Sequence, residues 1–277
     1  MLADIAKLSK HRRRKTIIAL GKMEWEKCAE DPMYWLDAER HAAIGPYVYT
    51  LDPHPLYKCL VCKDDATHHF NKRDVHLELR HQIVPKSEAE LRGYFKELPT
   101  TRPFPILEYF EPITRYWVNE QLMVIEKSRD MMATWLIVAL YCWDTFFHYG
   151  RQNIFQSEDA SKTLELVKRA KFIFDNQPKF LRYPHKAQFA AGQNRSGSLV
   201  IPSLESEILG FPQGPDQIRQ YHPSGVFQDE AAYQEHAGDA FASIKPAIQN
   251  GGRFTAVSSA NPGWFYLVAT DRLNEDV

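Results

Sequence analysis

The chain has 277 residues, of which 44% are hydrophobic and 25% charged, enough for one large α/β domain plus a smaller appendage and too apolar for long disorder. Its formal net charge of −1 supplies no global field to draw in nucleic acid, so any DNA contact has to use local patches or a ring of subunits. No apolar run approaches the length of a membrane span and the first residues lack the apolar core of a secretory signal, so a cytoplasmic location and no membrane partner are expected.

Residues 1–51 form a predicted helical region, with Ile5, Leu8, Ile17, Ile18, Leu20 and Trp25 at loose helical spacing. It carries a basic run, Lys10, Arg12, Arg13, Arg14 and Lys15, which reads equally as a solvated face or as a phosphate-contacting one. Residues 52–98 read as a zinc-finger-like insertion, of which 52–85 are rich in His, Lys and Asp. Here Cys59 and Cys62 are followed after 13 residues by His76 and after 4 more by His81. Two cysteines with two residues between them, then two histidines with four between them, is zinc-finger ligand spacing, and so polar a stretch has little else to bury. His68 and His69 are alternative ligands, and chance scatter of Cys and His in a loop is the competing reading.

Residues 99–277 read as the core. The four prolines from Pro99 to Pro112 predict a linker or extended lead-in. Strand Leu122–Glu126 then leads to helix Ala133–Phe147, and strand Asn153–Gln156 to helix Ala160–Asn176. Strands Leu199–Pro202 and Val226–Gln228 follow, then helix Ala240–Asn250 and strand Phe254–Ser258, with Gly192–Ser198 and Gly210–Gly225 as surface loops or a hairpin. Such alternation predicts right-handed crossovers and a mainly parallel sheet with helices on both faces.

Three segments of this core carry chemistry. Lys127, Ser128, Arg129, Asp130, Met131, Met132, Ala133 and Thr134 form a cationic turn between an apolar strand and an apolar helix. That is the layout of a phosphate-binding loop, in which helix N–H groups and a cation hold phosphate. Lys127 stands where the usual pattern has its first glycine, and Ala133 where it has its lysine. Thr134 keeps the hydroxyl position suited to magnesium. Strand Val226–Gln228 ends in Asp229 and Glu230, one carboxylate to hold magnesium and one to act as general base. Strand Phe254–Ser258 ends in small polar residues, Ser258, Ser259 and Asn261. Each segment alone also has a plain structural reading, as a turn cap, an exposed acidic turn or a loop.

Together, in this order, and with Asp31-Pro32 followed by aromatics near the start, these segments resemble the ATPase domain of the large terminase subunit of tailed bacteriophages. That family's loop lysine often sits first and is followed by a Ser-Arg pair, as in Lys127-Ser128-Arg129. The resemblance implies a P-loop NTPase of the additional-strand, RecA-like kind, binding ATP and Mg2+. It makes Glu230 the base and Arg129 the catalytic arginine, with Arg195 and Arg219 as alternatives supplied in trans. It gives Ser258 and Asn261 to a coupling motif. Implied partners are double-stranded DNA, a portal protein, a small terminase subunit and further copies of the chain, in a ring on the capsid or as a monomer in isolation. The implied location is the cytoplasm of an infected bacterium. The family's adenine-reading glutamine has no counterpart in Phe104–Glu108, and no nuclease domain is expected within a chain that ends at Val277. Zn2+ at Cys59, Cys62, His76 and His81 would mark an insertion, serving as a structural clip or as a contact to DNA, portal or small subunit. Competing readings are a helicase-like translocase and a zinc-containing nucleic-acid-binding protein that does not hydrolyse ATP.

Overall fold

A computed structural model of the protein describes residues 9–41, 44–51, 57–59, 65–66, 95–97, 101–129, 131–191, 196–214 and 218–270. The chain divides into two compact units, Tyr49–Pro103 and the remainder. In the smaller, β1 (Tyr49–Leu51) pairs antiparallel with β5 (Thr101–Pro103), and β2 (Tyr57–Cys59) lies between β3 (Asp65–Ala66) and β4 (Phe95–Glu97), also antiparallel. Cys62, His76 and His81 lie outside the described residues, as does the side chain of Cys59, and with them the expected zinc site.

The larger unit is α/β. Its seven-stranded sheet runs β6 (Leu122–Glu126), β12 (Arg253–Ser258), β11 (Gly225–Asp229), β7 (Gln152–Ser157), β10 (Ser206–Pro212), β9 (Gly197–Ile201) and β8 (Gln188–Ala190). From β6 to β10 every pairing is parallel, and β9 and β8 extend that sheet antiparallel. Neighbouring residues on one strand enter different cores: Phe155, Ile208, Phe227 and Val257 join one, Ile154, Leu209, Val226 and Ala256 the other. Period-two alternation between two apolar layers means that both faces are covered.

The first layer is built on α4 (Ala133–Phe147), buried at every position except Thr134 and Trp135, as expected of a helix apolar all round. Beside it lie α1 (Lys10–Glu30), α2 (Pro32–Leu36), α3 (Phe110–Asn119) and α5 (Ala160–Asn176), with the short α6 (Lys179–Arg182) against α1. The second layer contains α7 (Ala237–Gln249) and α8 (Trp264–Ala269). Asp31 caps α2 by accepting from the Met33 N–H at 2.8 Å, and Pro32 occupies the first turn, where no N–H is needed. Glu24 is buried on α1, where it accepts from the Tyr34 and Tyr47 hydroxyls at 2.6 and 2.8 Å and from Lys27 Nζ at 2.9 Å. Burial alone would raise its pKa, and these donors outweigh burial and lower it.

Two expectations change. The proline-rich lead-in ends in α3, which accommodates Pro112 in its first turn. The stretch read as loop from Gly210 holds the end of β10 instead. A Cβ at Gly210 would stand 2.9 Å from Val167 Cγ2 and 3.0 Å from Thr163 Cγ2, so this glycine serves close packing of α5 on the sheet. Gly21 plays the same part on α1, where a Cβ would lie 2.5 Å from the Phe180 carbonyl oxygen. Alanine is intrinsically about 1 kcal/mol better than glycine in a helix. Gly21→Ala should nonetheless destabilise by about 1–3 kcal/mol, since backbone on α6 has to move. Urea unfolding checks this, and a variant more stable than wild type would contradict the packing.

Candidate functional site

The C-terminal ends of β6, β11 and β12 lie side by side, the edge at which parallel sheets place ligands. After β6, the Lys127 N–H donates to the Ser258 carbonyl at 2.9 Å, so the loop leaves the sheet bonded to β12. Lys127 Nζ then reaches across the end of β12 to Glu230 Oε1 at 2.8 Å. Neither partner is well exposed, at 11% for the lysine side chain and 28% for the glutamate. The loop turns into α4 through Met132, whose φ of 52° is left-handed, a conformation more easily held by glycine. Met132 makes no side-chain cap to α4, whose first turn is the positive end of the helix dipole at this loop. The Tyr109 hydroxyl buttresses the loop by donating to the Met131 carbonyl at 2.7 Å. Ser128 and Arg129 are exposed, and Asp130 lies outside the described residues.

Thr134 Oγ1 donates to Asp229 Oδ1 at 2.8 Å, joining the start of α4 to the end of β11. Burial pushes the Asp229 carboxyl up to about 6, opposed by the Thr134 hydrogen bond and reinforced by the negative charge of Glu230. A buried carboxylate and a hydroxyl in contact are the hard-oxygen donors that magnesium prefers, and a cation there would offset the desolvation of Asp229. The two residues therefore fit a magnesium ion.

Glu230 also sits in the left-handed region, at φ 51°, where the strand breaks into a single helical turn, Ala231–Tyr233. Ser258 bonds this turn twice. Its hydroxyl donates to Glu230 Oε2 at 3.4 Å and accepts from the Ala232 N–H at 3.1 Å. Asn261 Nδ2 donates to the Ala232 carbonyl at 3.0 Å, and Gln234 Nε2 to the Asp229 carbonyl at 2.8 Å. Lys127, Thr134, Asp229, Glu230, Ser258 and Asn261 are thus brought together from three separate segments.

The comparisons with known proteins are structural only. No family model matches the chain, and no curated protein matches it. Solved structures it is similar to include phage large terminases. The Thermus phage P74-26 large terminase ATPase domain is 13% identical, with a TM-score of 0.46 over 59% of this chain and 68% of that one. The large terminase of another thermophilic bacteriophage, in complex with ADP, is 12% identical, with a TM-score of 0.47 over 61% of this chain and 43% of that one. The HK97 bacteriophage large terminase is 13% identical, with a TM-score of 0.49 over 61% and 37%. The matched region spans less than half of the last two chains.

Four residues beside the site carry no role in the sequence reading. Arg169 on α5 lays its guanidinium over Trp135, 5.3 Å from the ring centre, and its charge lowers the Asp229 pKa. Gln228 and Gln156 hydrogen-bond at 3.1 Å inside the sheet beside the site. Gln234 holds the carbonyl of Asp229 and was signalled only by its place shortly after the carboxylate pair. Of the other arginines, Arg219 donates from Nε to Ser243 Oγ at 3.3 Å, and Arg195 lies outside the described residues.

The Asp229 environment gives a signed pH dependence. Folding raises this pKa above the unfolded value, so its contribution to stability is full below about pH 4 and is lost as pH rises through about 6. In magnesium-free buffer at pH 7.5, Asp229→Asn should be more stable than wild type by about 2–3 kcal/mol, and the gap should close towards pH 4. Denaturant unfolding across that range is the measurement. A wild type at least as stable as the variant at pH 7.5 would contradict a buried, destabilising carboxylate.

Proposed function

We propose that this chain is the ATPase motor domain of a viral terminase large subunit, hydrolysing ATP to drive double-stranded DNA into a procapsid. The carrying observation is the meeting of Lys127, Thr134, Asp229 and Glu230 at one edge of the parallel sheet, with β12 between the loop strand and the carboxylate strand. A strand inserted between those two is what an additional-strand P-loop NTPase requires, and it supports that finer fold assignment. The motif order described from the sequence supports the terminase among such ATPases.

In this reading the N–H groups opening α4 and the ammonium of Lys127 bind the phosphates of ATP. Lys127 exchanges its Glu230 partner for phosphate, which leaves the Glu230 carboxylate able to orient a water and take its proton. Thr134 and Asp229 would hold magnesium, which would supply positive charge to offset that of the phosphates. Ser258 and Asn261 transmit the state of the Glu230 turn to β12 and α8. Arg129, exposed beside the loop, serves as the catalytic arginine, with Arg195 or Arg219 from a neighbouring copy as alternatives. Double-stranded DNA, a portal protein, a small terminase subunit and a ring of copies in the host cytoplasm complete the proposal.

Glu230→Gln should keep nucleotide binding and lose magnesium-dependent turnover by about 10²–10⁴-fold, while Lys127→Ala should lose both. Phosphate-release kinetics beside equilibrium nucleotide binding separate the two effects. A Glu230→Gln protein as active as wild type would remove the base assignment, and a fully active Lys127→Ala protein would shift the phosphate role to Arg129.

For the smaller unit we propose one structural zinc ion on Cys59, Cys62, His76 and His81, a closed four-ligand set with no open position. Elemental analysis of protein purified without added metal should give one zinc per chain, lost in a Cys59→Ser/Cys62→Ser double variant. Zinc well below stoichiometric would exclude this set.

A further inference from the structure

Helix α1 carries a stripe that the nucleotide site does not use. Lys10, Arg14, Ile17, Ile18, Gly21 and Trp25 follow one another at the three-, four- and one-residue steps of a single helical face, and all line one groove of about 830 Å³. From Lys10 to Trp25 that face is ~22 Å long at the α-helical rise. The opposite wall is α6 and the turn after it, with Phe180 and Tyr183 facing the groove. Gly21 lets the two walls meet at one end, as the 2.5 Å approach of the Phe180 carbonyl to a Cβ position shows. Towards the start of α1 the floor is open: Ile17 is 37% exposed, Ile18 48% and Tyr183 63%. Cations rim it, with Lys22 and Lys179 joining Lys10 and Arg14, and no carboxylate is among its described lining residues.

We infer that this groove seats an acidic amphipathic helix from another protein. The apolar floor from Ile17 to Trp25, ~12 Å or about two helical turns, accepts a stripe of aliphatic side chains, and Lys10 and Arg14 extend the face to about four turns, the helix-in-groove mode of recognition. Its rim takes glutamates or aspartates on either side of that stripe, and the overall charge of −1 makes the cationic rim a local feature rather than a share of a general field. Duplex DNA fits less well, because it gains from the cations but has nothing convex and apolar to place on Ile17, Ile18 and Trp25. A second copy of this chain is disfavoured, because pairing two such stripes sets cations against cations. The inference does not depend on the nucleotide site and stands or falls separately.

The test is fluorescence anisotropy on the full chain with a labelled synthetic helix of about four turns, leucines on one face and glutamates flanking them. Binding should saturate, weaken with added salt, and fall at least about tenfold in Ile18→Asp and in Arg14→Glu. Both positions are exposed, so circular dichroism, unfolding midpoint and ATP turnover should be unchanged. The same peptide with lysines replacing its glutamates should not bind. Absence of binding, equal binding of the lysine peptide, or indifference to both substitutions would overturn the inference. So would three alternative occupants. One is a short DNA duplex that binds when the peptide does not and is lost in Arg14→Glu. Another is a dimer in sedimentation that dissolves in Ile18→Asp. The last is peptide binding that appears only after residues 1–8 are removed, which would give the groove to the chain's own N-terminal segment.

Discussion

An ion pair 2.8 Å long closes the candidate site: Lys127 reaching over the end of β12 to Glu230. The two residues leave strands that do not touch each other, and β12 supplies both the spacing and the Ser258 groups that bond each of them. Two charges this close and this shielded from water attract strongly, yet each has lost hydration. Such a pair separates readily only when something offers the lysine an equivalent negative charge. Phosphate does so, which makes the pair a natural resting state for a site that binds nucleotide and then needs its glutamate free.

The pair is held in place by packing and hydrogen bonds further along the same elements. Helix α4 is buried along nearly its whole length, and its Tyr141 hydroxyl donates to the Val226 carbonyl at 2.7 Å, anchoring it to β11. Its N-terminus is thereby set against the end of the same strand, which is why Thr134 meets Asp229. At its other end Asp144 takes Arg151 Nε at 2.9 Å and Asn153 Nδ2 at 2.8 Å, tying α4 to β7. Backbone strain sits where the chemistry is: among the described residues, non-glycine residues with positive φ are Met132, Glu230 and Glu205, and the first two border the site.

How far the sequence could be read follows from the strength of its local signals. The strands and helices around Lys127, Asp229 and Ser258 are marked by uninterrupted apolar runs between polar turns, and they form within a few residues of where the pattern puts them. Segments whose residues answer to distant partners were not legible. Gly210 looks like a turn residue because the helix it accommodates is more than thirty positions away in the chain. Pro112 looks like a breaker, although a proline in the first turn of a helix forfeits no hydrogen bond. Glu24 has no local signal in the sequence, since it is a buried acceptor for the hydroxyls of Tyr34 and Tyr47, 10 and 23 positions away. Within the site, residue types were legible. The contacts were not, since Lys127 and Glu230 are 103 positions apart and nothing local encodes their meeting.

If these strand ends make a magnesium–nucleotide site, as proposed, nucleotide binding has to depend on magnesium. Isothermal titration of the full chain with a slowly hydrolysed ATP analogue, with and without magnesium, addresses it without relying on turnover, DNA or partner proteins. The account predicts one nucleotide per chain, binding that strengthens with magnesium, and loss of that magnesium dependence in Thr134→Val. A folded chain that binds no nucleotide, or binds it identically with and without magnesium, would contradict it.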